Sequence, residues 1–235
     1  VPARRLALVA EVFGPTSREF VLREGPPDRP LAIDLGCGPG HTTRLLAEAL
    51  RPRRTLGLDL STDFVARAVR EAPPSVAYAV HDAVERPFPE GPADVVYARL
   101  LVAHLVEPEA AVARWAAQLA PGGALLIEDT DAIETEQPVF VDYLARIAER
   151  MDARGQRLYP GRLLAGLADS SRLAAASPTA GLAAAMFRLN LDSWCDDTAV
   201  HGRLARGLET LLDDRRTGVI TWRVRQAVLR PTPRQ

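Results

Sequence analysis

Between about residues 30 and 130, short apolar runs alternate with segments of helical spacing. The runs LAIDL (31–35), TLGLDL (55–60), SVAYAV (75–80), ADVVYA (93–98) and ALLIEDT (124–130) read as strands. HTTRLLAEAL (41–50), STDFVARAVREA (61–72) and PEAAVARWAAQLA (108–120) carry apolar residues at the three- and four-residue intervals of a helix face. Ser61 is placed to cap the second of these helices, and Pro121-Gly122-Gly123 stops the third. The strand runs are apolar throughout, as expected where both faces of a sheet are covered. Alternation of this kind predicts an α/β fold with a parallel sheet.

The pattern differs at both ends. Leu6 to Phe13 and Ser17 to Arg23 read as two short helices, followed by a break at GPPDRP (25–30). Beyond residue 130, PVFVDYLARIAERMDARG (138–155) predicts a long helix, and Ser170 to Gly181 a linker or exposed loop. LAAAMFRLNL (182–191) and GVITWRVRQAVLRP (218–231) are strand candidates, with a helical insert, DDTAVHGRLARGLETLLDD (196–214), between them. No internal repeat interrupts the chain. The expected organisation is a single domain: a helical cap (1–29), a ligand-binding core (30–130) and a substrate-side region (131–235).

Charge narrows the function. The 29 basic residues, all arginine, balance 30 acidic ones for a net charge of -1. Nucleic acid and anionic membranes are bound largely through a basic face, so neither is an expected partner. No apolar run approaches the ~20 residues of a membrane span, and no secretory leader is recognisable. Cys37 and Cys195 cannot form a disulfide framework, which makes the cytoplasm the expected location. The arginine-only, alanine-rich composition reads as the codon bias of a GC-rich genome. Because the chain begins at Val1, a few residues are expected to precede it.

The chemistry concentrates at the predicted strand tips. In AIDLGCGPGHTT, Gly36, Gly38 and Gly40 occupy a strand-to-helix turn, where glycine lets a ligand approach the backbone closely. A dinucleotide-binding turn would place its third glycine at position 41, which is His41. Asp34 beside the turn suits a ligand's ammonium better than a pyrophosphate. Asp59 ends the second strand, where a carboxylate can accept two ribose hydroxyls, although a helix cap is the competing use. Asp82 and Ala83 follow the third strand. Asp82 can accept from an adenine amino group and Ala83 can offer its N–H to the ring, with a plain turn as the alternative.

Together these segments resemble the class I S-adenosylmethionine-dependent methyltransferases, in particular small-molecule enzymes related to the ubiquinone and menaquinone methyltransferases. IDLGCGPG, GLDLS, HDAVERPFP, ADVVYARLLVAHLVEPEAAVARW and LAPGGALLIED carry the resemblance. It implies a Rossmann-like, mostly parallel seven-stranded sheet with helices on both faces, a final antiparallel hairpin and helical lid elements. The two C-terminal strand candidates would supply the hairpin. It also implies S-adenosyl-L-methionine as cofactor, with Asp34, Gly36, Gly38 and Gly40 at the methionine part. Asp59 and Leu60 would stand at the ribose and adenine edge, Asp82 and Ala83 at the adenine, and Ala98 and Arg99 under the sulfonium.

The acceptor is expected to be a small molecule methylated on oxygen or nitrogen in natural-product biosynthesis, fairly apolar and uncharged because the C-terminal half clusters few charges. His104 is the candidate base, with packing or capping of its own helix as the structural alternative. Glu128, Asp129 and Asp131 could orient an acceptor or lie in a solvated loop. Tyr97, Tyr143, Tyr159, Trp194 and Trp222 could line an acceptor pocket, but aromatic residues in helices and hairpins are more often core, so none is assigned to the site; Phe13 and Phe20 could close over the pocket. Metal independence is expected, since two carboxylates on a loop make a poor Mg²⁺ site, and so is a monomer or homodimer. Two other functions share these motifs: use of the cofactor's charge in a non-methylating reaction such as cyclisation, and a catalytically silent binding protein.

Overall fold

The computed structural model describes residues 2–26 and 29–230. Val1, Pro27 and Asp28 of the predicted break, and Pro231 at the end of the last predicted strand lie outside the described residues. Seven strands form one sheet: β1 (Leu31–Leu35), β2 (Arg54–Asp59), β3 (Val76–Val80), β4 (Ala93–Arg99), β5 (Leu119–Thr135), β6 (Ser170–Ala176) and β7 (Ile220–Leu229), in the order β3-β2-β1-β4-β5-β7-β6. The first five pair in parallel. β7 runs antiparallel to both β5 and β6, which gives the expected antiparallel finish. Strand order reverses between β1 and β4, and the crevice beyond their C-terminal ends is where open α/β sheets bind ligands.

The core helices sit where the spacing predicts. They are α2 (His41–Leu50), α3 (Thr62–Arg70), α4 (Pro108–Ala116) and α5 (Pro138–Asp152). Ser61 does cap α3, its hydroxyl accepting the Phe64 N–H at 3.3 Å. Phe20 and Val21 pack with Leu46 and Leu50 over one face of the sheet. Val112, Trp115 and Leu164 cover apolar side chains of β1, β2, β4 and β5 in a second cluster.

Five elements depart from the sequence reading. β5 begins at Leu119 and runs through Pro121, Gly122 and Gly123, which lie in the strand instead of stopping α4, a helix that ends at Ala116. The two predicted N-terminal helices form one, α1 (Pro2–Glu24), which continues through Pro15. Proline there removes a backbone bond, but Val9, Phe13, Ser17, Phe20 and Val21 form one buried stripe that holds the helix against the body. LAAAMFRLNL is helical, within α7 (Ala180–Leu191). It is buried on most sides, and so shows the unbroken apolar run of a buried strand. The predicted linker contains β6, an edge strand whose exposed side chains hide its strand character. α6 (Gly161–Leu167) went unpredicted, whereas α8 (Thr198–Glu209) fills the expected helical insert.

Candidate active site

The glycine turn leaves the tip of β1 with Gly36, Gly38 and Gly40 at φ of 65°, 53° and 87°, a region where side chains are strained. Asp59 stitches this turn to the next one. Its Oδ2 accepts the Gly38 N–H at 2.7 Å and its Oδ1 the Ser61 N–H at 2.8 Å. A Cβ on Gly38 would touch Leu6 Cδ1 at 3.4 Å, an ordinary contact, whereas one on Gly40 would collide with the Tyr78 hydroxyl. Gly40 therefore makes room for Tyr78 and starts α2. Asp34 lies buried behind the turn, where Thr42 and Thr43 donate to its Oδ2 at 2.6 and 2.7 Å. Its Oδ1 is buried without a partner, and burial pushes its carboxyl up to about 6 against the pull of the two threonines.

A cavity of about 260 Å³ opens in front of the turn. Gly36, Gly38, Asp59, Arg99 and His104 line it, together with Arg5 and Leu6 of α1. The other expected residues stand outside that wall. Asp34 and Gly40 lie behind it, and Ala98 is packed inside β4. Leu60 is exposed, beyond the end of β2, and Val80 at the end of the neighbouring β3 is exposed as well. Asp82 accepts the Val84 N–H at 3.0 Å, the turn bond that was its competing use, and the Ala83 carbonyl accepts the Trp115 indole at 2.7 Å. Cys37 lines the cavity, and burial drives its thiol far above the ordinary range, so it stays protonated.

A second chamber, of about 300 Å³, adjoins the first. Phe13, Tyr143, Trp194 and Trp222 line it, although core was the favoured reading for such aromatics. Tyr97 and Phe20 are core instead, and Tyr159 is not part of the wall. Arg5, Val9, Leu100 and His104 line both spaces. His104 ends a short 3-10 turn, Val102–His104. It is an exposed residue that lines both spaces, yet enough protein surrounds it to disfavour a charge. Burial, and then Arg5, hold its pKa below the ordinary histidine value.

The three acids of β5 take separate roles. Glu128 is buried, with Tyr97 Oη donating to it at 2.5 Å and Gln226 Nε2 at 2.7 Å. Asp129 lines the second chamber and accepts the N–H groups of Ala103 at 3.1 Å and Thr130 at 2.8 Å. Asp131 pairs with Arg225 at 2.9 Å. Among the described residues no cluster of three or more His, Cys, Asp or Glu is arranged to hold a metal.

Comparison with known proteins agrees with this architecture. A methyltransferase domain family matches residues 33–127. The trans-aconitate 2-methyltransferase of Methylobacterium radiotolerans is 30% identical over 201 residues, 86% of this chain and 69% of that protein. The chain belongs to the class I S-adenosylmethionine-dependent methyltransferases. A second trans-aconitate 2-methyltransferase, from Methylobacterium nodulans, is 34% identical over 62% of this chain and 52% of its own length, so the match spans between half and about two thirds of these relatives. Among solved structures, a Haemonchus contortus phosphoethanolamine N-methyltransferase 2, in complex with phosphomonomethylethanolamine and S-adenosylhomocysteine, aligns with a TM-score of 0.58 at 20% identity, over 95% of this chain and 57% of that one. The YcgJ protein of Bacillus subtilis aligns at 0.60 and 14% identity, over 92% and 99%.

The sequence reading missed the cationic part of the chamber wall: Arg5 from α1, and Arg150 and Arg154 from the end of α5 and the turn after it. It also missed Met186, Phe187 and Asn190, all on α7. Thr179 was the available signal for α7, because its hydroxyl caps the helix by accepting the Leu182 N–H at 3.2 Å. No local pattern signals which cavity an arginine of an amphipathic helix will face.

Proposed function

We propose that the chain transfers the methyl group of S-adenosylmethionine to an oxygen or nitrogen of a small-molecule acceptor. The cofactor would lie in the 260 Å³ cavity and the acceptor in the 300 Å³ chamber. The observation that carries this reading is their common wall, which includes His104 and divides a cradle of glycines and strand tips from a chamber of aromatic rings. Placement in natural-product biosynthesis rests on the arginine-only composition alone.

The residues suit the cofactor. Gly36 and Gly38 would lie along its methionine part, with Gly40 starting the helix behind them. The unpartnered Oδ1 of Asp34 is an acceptor set behind the turn for an ammonium, directly or through water. Arg99, which donates to Ser17 Oγ at 3.3 Å, keeps charge to offer a carboxylate, with Ala98 beneath. Asp59 would accept the ribose, and exposed Leu60 and Val80 would flank the adenine above Asp82 and Ala83.

Bound S-adenosylmethionine supplies an activated methyl group. The protein's share is alignment, which can account for ~7–11 kcal/mol of a barrier, and handling of the acceptor's proton. His104 is uncharged near neutrality because its pKa is held down, so a ring nitrogen can accept that proton as the new O–C or N–C bond forms.

The test is incubation with methyl-labelled cofactor and a bacterial metabolite extract. One S-adenosylhomocysteine formed per labelled product supports transfer. A product without S-adenosylhomocysteine points to use of the cofactor's charge, and cofactor binding without any product points to a silent binding protein.

A further inference from the structure

The acceptor chamber holds more positive charge than its aromatic walls suggest. Arg5, Arg150 and Arg154 line it, and among the described residues Asp129 is the one carboxylate that lines it with them. Asp129 already accepts two backbone N–H groups. Among the described residues the Arg5 side chain has neither an ion pair nor a hydrogen bond, although protein encloses enough of it to disfavour its charge. Among the described residues Arg150 forms one ion pair, with the exposed Asp196 at 3.6 Å, and its buried Nε has no hydrogen-bond partner. Tyr143 adds a donor. Its oxygen accepts from Asn190 Nδ2 at 2.8 Å and Trp194 Nε1 at 3.3 Å, which fills both lone pairs and leaves its own proton to be donated elsewhere. Arg5 lies near enough for its charge to act on this hydroxyl.

A half-buried guanidinium without an anion is unfavourable, and its planar fork matches a carboxylate or phosphate. S-adenosylmethionine would bring a further net positive charge to the wall that Arg5 shares with the cofactor cavity. Resting on the methyltransferase reading above, we propose that the acceptor carries an oxyanion. The Arg5 guanidinium and the Tyr143 hydroxyl receive it and Arg150 supports it, so that the bound acceptor bridges α1 to α5. The uncharged acceptor expected from the sequence leaves these donors unmatched. That expectation rests on the few clustered charges of the C-terminal half; Arg5 lies outside that half, and Arg150 and Arg154 are interleaved with acidic residues within it.

The experiment passes a bacterial metabolite extract over an anion exchanger and assays each fraction with the full chain and methyl-labelled S-adenosylmethionine. Acceptor activity is expected in the retained fraction, and activity confined to the flow-through overturns the proposal. Phosphatase treatment of the retained fraction separates the sources: lost activity marks a phosphate, surviving activity a carboxylate. With that fraction, Arg5→Gln is expected to raise KM roughly tenfold or more, the scale of one charge-assisted bond, while Arg5→Lys recovers part of the loss. Tyr143→Phe, which keeps the ring stacked on Phe187, is expected to raise KM less and serves also if Arg5→Gln fails to fold. An unchanged KM in Arg5→Gln, or in Tyr143→Phe where Arg5→Gln does not fold, overturns the proposal. Calorimetry of the native chain with S-adenosylhomocysteine tests the methyltransferase reading separately. Binding there with neutral acceptors refutes only the oxyanion, and absence of labelled product from every fraction removes both.

Discussion

Asp129 anchors the 3-10 turn that carries His104, through the Ala103 N–H at 3.1 Å. His104 lines both cavities, and its imidazole has no hydrogen bond of its own among the described residues. His104→Ala is expected to lower kcat by roughly 10²-fold or more if the acceptor loses a proton during transfer. Steady-state turnover equal to the native value would make His104 a wall residue only. Asp129 also gives the fold a pH signature. Burial pushes its carboxyl up from 3.8 to about 7, against the pull of the Thr130, Ala103 and Val102 N–H groups. Between those two values the folded chain holds a proton that the unfolded chain has released. The stability from this group is therefore fully present below 3.8 and is lost as pH rises through about 7. Asp129→Asn stays neutral, and its melting temperature should fall less steeply than the native one across this window. Asp34, raised to about 6 in the same direction, leaves a residual slope in the variant. The position of His104 after the fourth strand was legible in the sequence. The bonding of Asp129 was not, because it depends on which N–H groups the tertiary fold brings to it.

At the scale of elements, legibility followed burial. β1 to β4 and α2 to α4 were readable because each strand is an apolar run ending in a turn residue, and each helix buries one face. α7 has no polar face to mark its period: Ala183, Ala184, Met186, Phe187 and Leu191 are all buried. β6 has the opposite problem, since Ser170 to Arg172 are exposed and only its pairing with β7 makes it a strand. Thr179 is the local determinant that distinguishes α7 from a strand. Thr179→Ala removes its cap and should destabilise the fold by about 1 kcal/mol, or roughly 2–4 °C in melting temperature for a chain of this size. Thr179→Ser should recover most of the loss in the same thermal scan. Equal melting of Thr179→Ala and the native chain would mean that packing alone fixes the helix.

For the molecule as a whole, α1 supplies Arg5, Leu6 and Val9 to the wall of the cavity proposed for the cofactor, with Leu6 beside Gly38 of the turn. Cofactor binding should therefore stabilise the entire fold. At a hundred times its dissociation constant a ligand adds about 2.7 kcal/mol, which at this chain length corresponds to roughly 5–10 °C. Gly38→Ala separates that linkage from plain stability. Its Cβ would meet Leu6 Cδ1 at an ordinary 3.4 Å, so the pocket floor has room for it. The cost comes from a φ of 53°, worth about 1–2 kcal/mol in a residue with a side chain. The free variant should thus melt only a few degrees below the native chain. The methyl group, however, adds to the cavity wall beside the N–H that Asp59 holds, where the proposed cofactor position requires close approach. The rise in melting temperature with S-adenosylhomocysteine should then shrink far more than the starting temperature does. A Gly38→Ala chain that melts low yet still gains the full native increment would place the cofactor somewhere other than this turn.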